Sequence, residues 1–312
     1  MVITVTLNPA MDKTLMVENF KAGAVNRAKA SRYDIGGKGI NVSKVLIEFG
    51  IPSLCLGFLG GIWEQSFKDA LDKRKIKHDF VSIKRDTRTN TKIVDITNNV
   101  FTDINEPGPE ITPEELELFI GKFNNSCKAE DIVVLSGGAA PGVPKDIYKT
   151  LIEIAKNKGT LCILDADGEL LKYGLEAEPD IIKPNEHELR KLLCQDISTK
   201  DQMIQTAKRL QSSGISKVLV SLGEKGSILV APEGVYEAEG LKVKVKSTVG
   251  AGDSMVAALI YSHLKSFNHK DTLAFAQATA TATVMMEGTE ACSLNQVMGM
   301  MEVSREKVKE LK

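Results

Sequence analysis

The sequence predicts an α/β protein: one mostly parallel, doubly wound sheet with helices on both faces, and a small β-sheet beside it. Three observations carry this. Short β-branched runs at 2–7 (VITVTL), 132–135 (IVVL), 161–164 (LCIL) and 217–221 (KVLVS) read as buried parallel strands. Helical patterns separate them, as βαβ units require. Residues 12–33 and 88–104 break that rhythm, with strand-like patterns and no crossover helix of their own.

The elements follow in order. The opening run VITVTL has no basic region ahead of it and is interrupted by polar residues, so it reads as a strand rather than a signal peptide. Helices are expected near 40–49, 64–75, 145–157, 186–194 and 201–213. Another starts at ITPEELELFIGKF, where Thr112 is the N-cap, Pro113 the first helical residue and Glu115 the partner of a capping box. Within TNTKIVDITNNVFTDIN, Asn98-Asn99 marks a hairpin turn. The Ala/Thr-rich stretch TLAFAQATATATVMM reads as a helix packed closely on the sheet, as core rather than as a ligand wall.

The chain of 312 residues, 43% hydrophobic, 26% charged and with net charge −1, has an ordinary globular composition. Near-zero charge argues against a nucleic-acid footprint, which needs a basic face. No apolar run approaches the roughly 20 residues of a membrane span. Cys55, Cys127, Cys162, Cys194 and Cys292 are scattered without a CxxC, as reduced core thiols of a cytoplasmic protein would be. The four histidines show no metal-ligand spacing and read as surface or structural.

Two glycine clusters carry the chemistry. In STVGAGDSMVAALI, Gly250 and Gly252 let backbone amides converge at the start of a helix beginning near Asp253, an arrangement suited to a phosphate. A glycine turn that binds nothing is the competing reading. Asp253 is either a helix N-cap or a general base taking a proton from a hydroxyl that attacks the held phosphorus. Met255 occupies the third glycine position of a dinucleotide fingerprint, which disfavours a nicotinamide oxidoreductase. In GGKGINVSKVLIEFG, Gly36, Gly37 and Gly39 permit close backbone approach while Lys38 and Asn41 offer a cation and an amide; a plain loop leading into a helix is the alternative.

Weaker signals surround these. In IIKPNEHEL, Lys183, Asn185, Glu186 and Glu188 crowd a turn, either as a Mg²⁺–phosphate site or as a capped helix with solvated acids. SLGEKG (221–226) either approaches a nucleotide or is a plain hairpin turn, and LSGGAAPGVP (135–144) stands where α/β sheets line ligands. Arg88 and Lys92 in DTRTNTK are candidate anion binders or solvated surface charges.

Together and in this order, these motifs resemble the PfkB (ribokinase-like) carbohydrate kinase family, GGKGINVSKVLIEFG looking like its N-terminal signature and STVGAGDSMVAALI like its C-terminal one. The resemblance runs from TLNPAMDKT through MEGT, nearly the whole chain. It implies a ribokinase-like three-layer α/β/α core within a single domain, 1–312, with a β-sheet lid built from about 12–33 and 88–106. TLNPAMDKT, the lysine of GGKGIN, TRTNTK and INEPGP look like kinases of ketohexose monophosphates, the 1-phosphofructokinases and tagatose-6-phosphate kinases. The resemblance assigns Asp253 as base and the amides of Gly250, Ala251 and Gly252 as anion hole. It sets Asp12, Gly36, Gly37, Lys38, Asn41 and Ser136 against the sugar, with Arg88 near its phosphate. Lys183 and Asn185 look like phosphate-side residues, Asn185 and Glu188 like indirect Mg²⁺ ligands, and Ser221, Gly223, Gly226 and Thr248 like the nucleotide side. The chain departs from the family pattern at Gly138, Ala139 and Ala140, and at Asp103.

The expected function is thus ATP- and Mg²⁺-dependent phosphorylation of fructose 1-phosphate to fructose 1,6-bisphosphate. Tagatose 6-phosphate is the alternative substrate, and a non-catalytic sugar- or nucleotide-binding regulator the alternative from another class. The resemblance further implies a homodimer paired through the lid, with no nucleic-acid or membrane partner.

Overall fold

The computed structural model of the chain describes residues 1–192 and 199–311. Cys194 and the last residues of the helix expected at 186–194 lie outside the described residues. The chain opens with β1 (Val2–Thr6), β2 (Ala10–Val17), β3 (Ala30–Gly36), α1 (Lys38–Glu48), β4 (Ser53–Gly60), α2 (Glu64–Lys73), β5 (Lys77–His78), β6 (Val81–Ile83), β7 (Arg88–Asp95) and β8 (Val100–Ile104). It continues through α3 (Pro113–Ser126), β9 (Ile132–Ser136), α4 (Ile147–Lys156), β10 (Leu161–Asp165), α5 (Gly168–Leu175), β11 (Ile181–Ile182), α6 (Glu186–Leu192), α7 (Lys200–Ser212) and β12 (Lys217–Ser221). Last come β13 (Gly226–Ala231), β14 (Gly234–Glu239), α8 (Ala251–Leu264), α9 (His269–Val284), α10 (Leu294–Glu306) and β15 (Val308–Leu311).

The large sheet runs β15-β14-β13-β12-β11-β10-β9-β1-β4-β5, with β6 also paired to β4. From β12 to β5 every pairing is parallel, while β13, β14 and β15 extend the sheet antiparallel. Alternation along the strands sorts side chains to two faces. Ile3, Val5, Val133, Leu135, Cys162 and Leu164 pack with residues of α3, α4, α5, α6 and α7. Val2, Ile132, Val134, Ile163 and Ile181 face α1, α8, α9 and α10. The three layers follow from that division.

The Ala/Thr-rich stretch is α9, buried along most of its length as core. Its small side chains let it touch both α8 and α10. The hydroxyls of Thr279, Thr281 and Thr283 donate to the carbonyls four residues back at 2.7–2.9 Å, so these buried polar groups cost little. Thr112 caps α3 with the expected capping box. No helix among the described residues is long and apolar enough to cross a membrane.

The irregular stretches form a separate four-stranded sheet, β3-β2-β7-β8. Its strands take up 10–17 and 30–36, and 88–95 and 100–104, leaving residues 18–29 as a connecting loop rather than strand. The expected hairpin turn spans residues 96–99, with Asn99 at φ 53°. The Asp95 carboxylate holds that turn. It accepts from the amides of Thr97 and Asn98 and the side chain of Asn98, and from the amides of Asn19 and Phe20 in the β2–β3 loop. These hydrogen bonds, that to the Asn98 side chain first, hold its pKa down at about 2.

Candidate functional site

The site lies where the parallel strands end, the usual ligand position in an open α/β sheet. Ser136 closes β9, Asp165 closes β10, and Lys183 follows β11. From the other side come the starts of α1 and α8. Gly37 caps α1 at φ 131°, and a Cβ there would meet Thr6 at 2.5 Å, so only glycine brings Lys38 and Asn41 in at this angle.

Gly250 caps α8 in the left-handed region, φ 82°. The helix therefore begins at Ala251, two residues before the expected start. This settles the first ambiguity about Asp253: it occupies the third helical position, not the N-cap. Its buried carboxylate accepts from Asn41 Nδ2 at 2.8 Å. Burial pushes its pKa up to about 6, and the nearby negative charge of Asp165 pushes the same way, against Lys38, Asn41 and Lys183. The amides of the first turn of α8 have no acceptor within the helix and carry the positive end of its dipole. A Cβ on Gly252 would stand 3.2 Å from Lys183 Nζ, so ammonium and amides face one space.

Asp165 is the centre that the sequence reading missed. Fully buried, it lies 3.2 Å from Lys183 Nζ and 3.6 Å from Lys38 Nζ, and accepts from Ser136 Oγ at 3.3 Å. Burial opposes its charge, yet the two lysines win and its pKa falls. Lys38 is the converse: desolvation is outweighed by Asp165, Asp253, Glu188 and Asp167, and its ammonium is held on more firmly than usual. The Ser136 hydroxyl, expected against the sugar, is completely buried and donates to Asp165.

Asn185 and Glu188 form a reciprocal cap on α6. The Glu188 amide donates to Asn185 Oδ1, and the Asn185 amide to Glu188 Oε2, each at 2.8 Å. The capped-helix alternative therefore holds for both. The second Glu188 oxygen accepts no protein hydrogen bond among the described residues, and its charge is felt at Lys38. Ser221, Gly223, Gly226, Thr248 and Gly252 line a single cleft of about 790 Å³. SLGEKG is thus both a turn into the antiparallel β13 and a cleft wall.

The small sheet contributes Asp12, buried, with Asn90 Nδ2 at 3.3 Å and Lys92 Nζ at 3.5 Å. A Cβ on Gly36 would stand 2.7 Å from Asp12 Oδ2. Arg88 sits at the root of β7, donating to the carbonyls of Glu106 at 2.7 Å and Asn8 at 3.0 Å. Burial lowers its pKa, opposed by Asp12 and Glu106. Asn8 ties the same loop by donating to Pro107 O at 2.9 Å. One signal was available for the missed Asp165: an acid closing an apolar strand, in LCILD.

The family model for pfkB family carbohydrate kinases matches residues 5–296, nearly the whole chain. The chain belongs to that family. This kinase is 36% identical over 286 residues to a 1-phosphofructokinase of Borreliella burgdorferi, covering 91% of this chain and 92% of the relative. It is 35% identical over 292 residues to a 1-phosphofructokinase of Bacillus subtilis, with 93% and 95% covered. Among solved structures it resembles phosphofructokinase-2 from Escherichia coli in complex with substrates and products, at TM-score 0.93 and 26% identity, covering 97% of this kinase and 99% of that chain.

Proposed function

We propose that this kinase transfers the γ-phosphoryl group of ATP to a hydroxyl of fructose 1-phosphate, giving fructose 1,6-bisphosphate and ADP. The observation that carries the reading is Asp253: a buried carboxylate of pKa about 6, fixed by Asn41 at the amide-rich start of α8. A proton affinity just below neutral pH suits a general base. Asp253 takes the hydroxyl proton, the sugar oxygen bonds to the γ-phosphorus, and the bond to the β-phosphate oxygen breaks. The amides of Gly250, Ala251 and Gly252, with Lys38 and Lys183, hold the charge that develops on the phosphoryl oxygens. Both relatives described above are 1-phosphofructokinases, which supports the choice of sugar.

ATP takes the cleft of Ser221, Gly223, Gly226 and Thr248. The remaining Glu188 oxygen is a hard donor whose charge is felt at Lys38, and it would fit a Mg²⁺ held through water, with Asn185 fixing its position. When bound, such an ion would offset the negative charge of the phosphates. Asp12 and the Gly36–Gly37 backbone meet the sugar, and the small sheet acts as a lid that excludes water. Its exposed Tyr33, Val100, Phe101 and Ile104 suit pairing with a second copy, which sedimentation velocity distinguishes from a monomer.

The test offers Mg-ATP with fructose 1-phosphate, fructose 6-phosphate or tagatose 6-phosphate and follows ADP. Turnover is expected to be highest on fructose 1-phosphate; no turnover on any of the three sinks the reading. On the same panel, Arg88→Ala is expected to raise KM for the phosphosugar about 10–100-fold, the scale of a lost charged hydrogen bond, and to leave KM for ATP unchanged. An unchanged sugar KM removes Arg88 from the site.

A further inference from the structure

Lys44 lies within GGKGINVSKVLIEFG, but no role has been given to it so far. It lies on α1 one turn beyond Asn41 and is almost completely buried, 3% exposed. Its ammonium donates to three acceptors from different parts of the fold: Ile35 O of β3 at 2.5 Å, Asn41 Oδ1 at 3.2 Å and Thr289 Oγ1 at 3.3 Å. Asn41 in turn donates to Asp253. A relay thus runs from Lys44 through one amide to the carboxylate at the reaction centre.

We propose that Lys44 is a positioning residue for phosphoryl transfer, locking the Asn41 amide so that its N–H stays on Asp253 throughout the reaction. The inference rests on the kinase reading above. A side-chain amide can turn over, exchanging donor for acceptor. While Asp253 is ionised it orients Asn41 unaided, because a carboxylate only accepts. Once Asp253 has taken the substrate's proton it becomes a donor, and a turned amide would accept that proton through Oδ1. The protonated base would then be stabilised and the next turnover would begin from the wrong form. Lys44 forbids the turn, because an NH₂ group cannot face an ammonium. The lock also fixes Ile35, one residue before Gly36, so the root of the small sheet and the base share one anchor.

The charges around both groups bear on the test. Lys44 faces Arg74 just past α2, Asp34 from β3, Asp12 from β2 and Asp253 from α8. Burial first, then Arg74, brings its pKa down to about 8, so it is charged between pH 5 and 7.5. Asp253 faces Lys38 and Asn41 from α1, Asp165 from β10, and Lys183.

The experiment is a pH profile of kcat/KM for the phosphosugar from pH 5 to 7.5, for wild type and Lys44→Met. Favouring protonated Asp253 raises its pKa, so the acidic limb is expected to move up by about 0.5 to 1 pH unit, the scale of one hydrogen bond. Activity below the limb falls roughly 3- to 10-fold and approaches wild type toward pH 7.5. A residue that merely supports the fold would lower activity equally at all pH. An acidic limb at the wild-type position therefore overturns the proposal, whatever the overall activity. If Lys44→Met does not fold, Lys44→Leu is read by the same criterion; Lys44→Gln keeps a donor without the charge, and a limb moved as far in it as in the donor-less variant assigns the shift to lost charge and overturns the lock. Wild type inactive on every phosphosugar sinks the kinase reading; active wild type with an unmoved limb in the variant sinks only the role of Lys44.

Discussion

Asp253→Asn is expected to lower kcat by about 10²–10⁴-fold, the scale on which a positioned general base contributes. The substitution keeps the shape of the side chain. It also removes a buried charge close to Asp165, so melting temperature is expected to change little and ATP binding only modestly. What is lost is the basic oxygen facing the incoming hydroxyl. A pH profile supplies the second half of the test. The base acts in its ionised form, and its pKa is raised to about 6. Wild-type kcat/KM should therefore fall as pH drops through about 6, and the Asn variant's residual activity should lack that limb. Saturating steady-state kinetics decide the matter: near-normal kcat would reduce Asp253 to a structural residue of α8.

Asp165→Ala is expected to cost about 3–5 kcal/mol of stability, as when one partner of a buried ion pair is deleted. Lys183 is 4% exposed and Asp165 1%, so water cannot replace the lost anion. Lys38, more open to solvent, can turn outward; Lys183 cannot. Denaturant unfolding at constant slope measures the loss, and a loss below about 1 kcal/mol would mean that Asp253 alone balances both lysines. The milder Asp165→Asn separates stability from electrostatics. Asp165 is one of the groups that raise the Asp253 pKa. Neutralising it favours ionised Asp253, so the acidic limb should move to lower pH, opposite in sign to Lys44→Met.

Much of this site was legible because its key groups follow sequence-local rules. Gly37 and Gly250 sit at helix starts that only glycine can make at those angles, and the residues just beyond them, Lys38, Asn41 and Asp253, are placed by helix geometry. Periodicity exposed the central strands and α1 to α4 for the same reason. What stayed hidden depends on contacts across the sheet. Nothing in LCILD says that Asp165 will meet two lysines, from residues 38 and 183, and nothing in SGGAAPGVP says that the Ser136 hydroxyl turns inward to it. Lys44 looks like an interruption of an apolar face until Ile35, Asn41 and Thr289 are seen to converge on it. β4 escaped because two glycines dilute SLCLGFLG, and the short α5 because GELLKYGL begins and nearly ends on glycine. α10 carried a readable capping box at Ser293 and Gln296, but its run of methionines blurs the apolar stripe.

The Asp95 knot has a mechanical consequence. One carboxylate binds the far tip of the small sheet by taking hydrogen bonds from both of its loops, and its low pKa keeps those bonds intact well into acid. The sheet is thereby stiffened at the end farthest from its roots. Bending is resisted at the tip, and if the sheet swings as the proposed lid, its hinge is expected at the roots near Asn8, Gly36, Arg88 and Pro107. Arg88 and Asn8 clasp those roots, and Lys44 pins the strand that ends at Gly36. On that reading the hinge shares one anchor, Lys44, with the amide that holds Asp253.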